Sequence, residues 1–175
     1  MAVKIGNIIE AQSARTVENV SLALFNKGIT LGQLSRSEEE IAVYDEVVRR
    51  YGEASEPALR NLVAGALNSV GFHLLCKAKR LWAAGDENSA KEMLQQAHGK
   101  IAASLERRPD NPTTLGNQGY ILFLLGNEAE AKTILIKAVL LGGEPLRAIE
   151  LKDADIHTIP PDVAFREFIR SIPST

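Results

Sequence analysis

The chain is short of the residues that most often carry chemistry. It has one cysteine, Cys76, in 175 residues, so no intrachain disulfide can form. Its three histidines, His73, His98 and His157, are scattered. A protein metal site takes three or four ligands, usually as two close pairs. His73 and Cys76 stand three apart on a helical pattern, but no second pair joins them, so no metal ligand is expected. Cys76 reads instead as a small, half-buried apolar residue. A Cys–His nucleophile would need a third, orienting group and a pocket, and nothing marks one. GGEPLR (142–147) has neither the lysine nor the preceding strand of a phosphate loop, and reads as a helix end followed by proline. No catalytic residue and no cofactor is expected.

Neither sign of charge is in excess. The formal net charge is -2 and the isoelectric point about 6.0, which gives no general attraction to nucleic acid or to anionic membranes. The pairs Arg49-Arg50 and Arg107-Arg108 are local and fall near helix C-termini, where the helix dipole favours cations. The acids Glu38, Glu39, Glu40, Asp45, Glu46, Glu87, Glu128 and Glu130 read as a solvated face concentrated in first helical turns. No apolar run approaches the ~20 residues of a membrane span, and the first residues lack the apolar stretch of a signal peptide. A cytoplasmic protein without nucleic-acid or membrane partners is expected.

Aromatics are only 5%, so the core must be Leu, Ile, Val and Ala, a mixture that favours helices. The seven prolines, at 57, 109, 112, 145, 160, 161 and 173, read as punctuation between helices.

What is present is repetition. Leu115-x2-Gln118-Gly119-x2-Leu122 is followed by Ala131-x3-Leu135 and Ala138. Leu24-x2-Lys27-Gly28-x2-Leu31 is followed by Glu40-x3-Tyr44 and Val47. Gly119 to Ala131 and Gly28 to Glu40 are both steps of 12; Glu40 stands where a small residue is expected. The unit between these two is longer. NSVGFHLL (68–75) aligns with FNKGITLG (25–32), and GDENSAKEMLQQA (85–97) with GNEAEAKTILIKA (126–138). On that alignment Gly71 to Ala90 is 19, seven more than 12, and Ala90 to Ala131 is 41, seven more than 34. The expectation is a first helix lengthened before its turn and a second lengthened before Pro109. Seven residues are about two turns, so the apolar faces keep their direction, and both extensions are expected at the same end of the hairpin. Leu59, Leu62, Val63, Ala66, Leu67, Val70, Leu74, Ala78 and Leu81 carry the helical period, and Ala90, Leu94, Ala97, Ile101 and Leu105 continue it on the return.

This frame resembles the tetratricopeptide repeat (TPR) family, whose units repeat about every 34 residues, from Ser21 to Gly143. The resemblance implies an all-α array of about three antiparallel helix pairs in a right-handed superhelix, within one domain, 1–175. The first hairpin would span 8–52, an elongated second 58–108 and a third 112–142, with C-terminal capping helices over 145–172. Phe165, Phe168, Ile169 and Ile172 make the last of these amphipathic, and such a helix covers the open face of a terminal repeat. Ile8 to Arg15 would extend or cover the first helix.

In the family the first helix of each unit lines the concave wall. Carried over, the candidate groove comprises Phe25, Asn26, Ile29, Gln33, Lys79, Trp82, Asn117, Tyr120 and Phe123. Trp and Tyr are enriched among interface anchors; Trp82 reads equally as groove or core, and Tyr120 more as groove than core. Asn26 and Asn117 match the asparagine that holds a ligand backbone in peptide-binding members. Leu22 and Thr113 replace the lysines of the carboxylate clamp, so a mixed apolar and polar ligand suits the groove better than an acidic C-terminus. The implied function is a non-catalytic module that binds a peptide or helix of another protein. The alternative is self-association through the elongated middle hairpin, giving a homo-oligomer.

Overall fold

The computed structural model describes residues 2–173, with side chains before Arg15 described only at Gln12. Among these residues there are seven helices and no strand: α1 (Ala2–Gln33), α2 (Ser37–Tyr51), α3 (Pro57–Ala83), α4 (Glu87–Arg107), α5 (Pro112–Leu124), α6 (Glu128–Asp155) and α7 (Pro161–Ser171). The architecture is all-α, a TPR-like helical repeat array. The backbone of 8–15 continues α1; the side chain of Ile8 lies outside the described residues. Two compact units are formed, 1–66 and 67–175, with α3 continuous through the boundary.

In the first unit, close approach of α1 and α2 depends on glycine. A Cβ on Gly28 would lie 2.5 Å from Cε1 of Tyr44, and one on Gly32 would lie 2.7 Å from a carboxylate oxygen of Glu40. Glu40 is therefore accommodated by a second glycine one turn along α1 rather than by loosening the hairpin. The ring of Phe25 packs between Tyr44, 5.4 Å away centroid to centroid, and Gly65 of α3.

All three hairpin turns end their first helix alike. Arg36 N donates to Leu31 O, Asp86 N to Leu81 O and Asn127 N to Leu122 O, each at 2.9 Å. The preceding residue is left-handed: Ser35 (φ 58), Gly85 (φ 88) and Gly126 (φ 85). Glycine takes this conformation without steric cost; Ser35 does not. Asp86 then caps α4 by accepting from Ser89 N at 3.1 Å, and Asn111 caps α5 by accepting from Thr114 N at 2.9 Å.

In the second unit the shared contact sets the register. A Cβ on Gly119 would meet Leu135 Cγ at 2.5 Å and Ala131 O at 3.3 Å; one on Gly71 would meet Ile101 Cδ1 at 2.7 Å and Ala97 O at 3.4 Å. Gly71 thus pairs with Ala97 and Ile101, not with Ala90 and Leu94. Gly71 to Gly85 is 14 against 7 for Gly119 to Gly126, and Gly85 to Ala97 is 12 against 5 for Gly126 to Ala131. Both sets of seven extra residues flank the turn. The expected lengthening of α4 before Pro109 is corrected: the added turns open α4, and Ala97 to Ala131 keeps the unstretched step of 34. The physical reason is that GDENSA resembles GNEAEA because each must end one helix and cap the next, a local demand. Interhelical register is set instead by where the glycine of the first helix falls. The two extensions do share one end of the hairpin.

α6 is broken at Gly143 (φ 62, ψ -158), two residues before Pro145. The expected helix end near 142 and the short helix from 145 are therefore both present within the span of α6, because Gly143 leaves the helical region and proline offers no N–H to the ladder. Leu75, Ala78, Leu94, Ile101, Tyr120, Ile121, Leu135, Phe165 and Ile169 join α3 to α7 in one apolar cluster.

Candidate functional site

The expected inner face of the third hairpin is already covered. Tyr120 and Phe123 of α5 are buried beneath α7, whose Phe165 stacks on Tyr120 at 4.1 Å between centroids and meets Phe123 edge-on at 5.4 Å. Lys79 of α3 is buried beside them. Its Nζ donates to Tyr120 OH at 2.6 Å and to the last-turn carbonyls of α6, Asp153 O at 3.0 Å and Ala154 O at 3.2 Å. It also pairs with Asp162 Oδ2 at 3.1 Å, with side-chain exposures of 1% and 0%. Tyr120 OH donates to Asp162 Oδ1, and Ile159 N donates to Asp162 Oδ2 at 2.9 Å. The Lys79 ammonium, the Tyr120 hydroxyl, the Asp162 carboxylate, two carbonyls of α6 and the Ile159 N–H therefore satisfy one another in the core, as buried charges require. Burial draws the Lys79 ammonium down and Asp162 opposes that; burial and the Asp162 hydrogen bond push the Tyr120 phenol up.

At its other end α7 is held by Arg147 of α6, whose Nη1 donates to Ile169 O at 2.6 Å. Arg166 Nη1 pairs with Asp155 Oδ1 at 2.9 Å. Beside this network Glu150 is wholly buried against Gly116, and neither carboxyl oxygen makes a hydrogen bond. Burial, with the charge of Asp153 nearby, pushes its carboxyl up to about 8, and burial pushes Asp153 up to about 6. Burial likewise pushes the Cys76 thiol up to about 11, which leaves little thiolate for nucleophilic work.

The groove residues expected from sequence thus part company. Lys79, Asn117, Tyr120 and Phe123 are buried, and as placed they offer no side chain to a partner. Asn117 spends its Nδ2–H on Asn68 Oδ1 at 2.9 Å rather than on a ligand backbone. Phe25 is half-buried between Tyr44 of α2 and Gly65 of α3. Asn26, Ile29 and Gln33 lie in the open with Leu22, at i, i+4, i+7 and i+11 along α1. Trp82 is half-buried and walls a hollow of about 350 Å³ lined by Glu87, Asn88, Lys91, Leu94, Leu124, Leu125 and Gly126. Trp82, Glu87, Asn88 and Lys91 all come from the turns added to α3 and α4, whereas Leu124 to Gly126 end the shorter α5. The hollow is where the longer hairpin outruns its neighbour.

Three positions of this network were missed, two of them with a legible signal. Asp162 lies on the apolar side of α7, three and seven residues before Phe165 and Ile169. Glu150 interrupts the apolar row Leu146, Glu150, Ala154. Arg147 carries no such signal, because its role depends on α7 ending beside it.

Residues 112–141 match the family model described as tetratricopeptide repeat. The chain carries a tetratricopeptide repeat. Neither a curated protein nor a solved structure matches it. Tetratricopeptide repeats form protein–protein interaction modules and in general carry no catalytic group. Among the described residues no cluster of three or more potential ligands could hold a metal ion, and no helix is long and apolar enough to cross a membrane.

Proposed function

We propose that this TPR protein is a non-catalytic binding module that takes a peptide or helix of another protein, with the Trp82 hollow as its anchoring site. The observation that carries the reading is the 350 Å³ hollow itself. It pairs an apolar floor, Leu94 and Leu124, with a half-open indole and a rim of opposite charges, Glu87 and Lys91. Buried aromatic anchors inside a polar rim are the usual anatomy of an interface. The open stripe Leu22, Asn26, Ile29 and Gln33 offers a second mixed surface of the same chemistry.

A photo-crosslinking residue in place of Asn88 would trap the partner from native lysate. The purified partner is then titrated against the chain, using Trp82, the sole tryptophan, as a fluorescent reporter. Trp82→Ala is expected to weaken binding at least tenfold with unchanged far-ultraviolet circular dichroism. Equal affinity of the variant and the parent would sink this assignment.

A second reading, self-association, is favoured by Ile136, Leu140 and Leu141, which stand 40 to 51% exposed on α6. Sedimentation velocity decides it: a dimer that Leu140→Glu dissociates supports the reading, and a monomer at high concentration removes it.

A further inference from the structure

The third hairpin's inner face shows what it accepts, because a helix is seated on it. α7 meets that face through Asp162, Phe165 and Ile169, at i, i+3 and i+7. Its carboxylate lies 3.1 Å from Lys79 Nζ and accepts from Tyr120 OH, and its first ring stacks on Tyr120. A helix that only covered apolar surface would need apolar residues alone. Replacing a buried ion pair with well-packed apolar groups is often neutral or stabilising, so stability does not explain this one. What the pair does supply is discrimination. A helix without an acid in its first turn leaves Lys79 buried opposite nothing, and such an unpaired charge is strongly penalised. Lys79 itself lies eight residues past Gly71, in the turns added to α3, so the lengthening that makes the Trp82 hollow also builds this acceptor.

We propose that the face formed by Lys79, Tyr120 and Phe123 is an acid-selective helix receptor, and that α7 is the ligand the chain supplies to itself. The partner that displaces α7 is a short amphipathic helix that opens on a carboxylate, with an aromatic ring three residues on and a branched aliphatic seven on. This goes beyond the Trp82 reading, and either can fail alone, since the two faces are tested by different variants.

The test uses the full chain carrying Asp162→Asn and a fluorescein-labelled peptide of residues 158–173. In the variant, the α7 amides are expected to exchange hydrogen at least tenfold faster than in the parent, with α4 unchanged. The peptide is expected to bind the variant at least tenfold tighter than the parent, whose own α7 competes from a high effective concentration. The same peptide with Asn at its Asp162 position should bind at least tenfold more weakly. If Asp162→Asn does not fold alone, the acid-bearing peptide should restore its helical signal in trans and the Asn peptide should not. Phe165→Ala repeats the test with the receptor untouched. The proposal is overturned if α7 exchange is unchanged, if neither variant captures or is rescued by the peptide, or if the acid and Asn peptides act equally.

Discussion

Asn26 and Ile29, in the stripe Leu22, Asn26, Ile29, Gln33 on α1, and Asn117 and Tyr120 on α5 occupy corresponding places in their repeats. One pair is open and the other is filled. The repeat frame decides which face of a first helix is turned away from its hairpin partner, since Gly28 and Gly119 mark the opposite face. It does not decide what then lies on that face. On α5 the occupant is α7, held by Phe165 against Tyr120 and Phe123 and by the pairing of Asp162 with one cation, Lys79, in the turns added to α3. The sharpest way to break the comparison is to remove that cation. Lys79→Met leaves Asp162 in the core with only Tyr120 OH and Ile159 N as donors. A loss of about 3–5 kcal/mol in denaturant-unfolding free energy is expected, as for other halved buried pairs. Adding Asp162→Asn should recover part of it. A loss below about 1 kcal/mol would mean the pair is not the tie between α7 and its receptor.

Much of this architecture was legible. The glycine steps located the hairpins because close helix approach tolerates no side chain there, and the cap sequences located the turns. The register of the long hairpin was not, because Ala90 and Ala97 both sit on a helical apolar face and the cap resemblance favoured the wrong one. The site was half legible. Periodicity nominated the face, but Tyr120 is covered by α7, more than 40 residues on, and Asn117 bonds to Asn68 of α3, 49 residues back, and no local pattern encodes those contacts. Asp162 on an apolar row was the available clue.

The filled face should also announce itself through pH. The Glu150 carboxyl is pushed up to about 8 from an ordinary 4.5, so the folded chain holds a proton that the unfolded chain releases. More protons on the folded state means that stability falls as pH rises between those two values. The slope is at most ~1.4 kcal/mol per pH unit, or roughly 2 kcal/mol lost between pH 6 and pH 8. Asp153, raised to about 6, steepens the acid half of that window. Glu150→Gln should flatten the curve above pH 6. An unchanged slope in the variant would place the titrating group elsewhere.

The corrected register makes a smaller, paired prediction. Gly71→Ala and Gly119→Ala insert a methyl against Ile101 and Leu135 in the same geometry, and each should cost about 1–3 kcal/mol by overpacking. Gly99 sits in α4 with open space around its missing Cβ. Gly99→Ala should therefore gain roughly 0.5–1 kcal/mol from helix propensity. Equal effects at all three glycines would contradict the pairing of Gly71 with Ala97 and Ile101.

The smallest effect tests the open half of the comparison. Ile29 is 41% exposed, and Asn26 and Gln33 beside it are also exposed. Substitutions at such positions usually stay within about 0.5 kcal/mol, so Asn26→Ala and Gln33→Ala should leave the unfolding midpoint where it is. If these substitutions weaken partner binding while leaving stability alone, α1 contributes contact surface with no structural duty. If either destabilises by more than about 1 kcal/mol, the stripe is covered in solution, and the contrast with α5 is one of occupant rather than of occupancy.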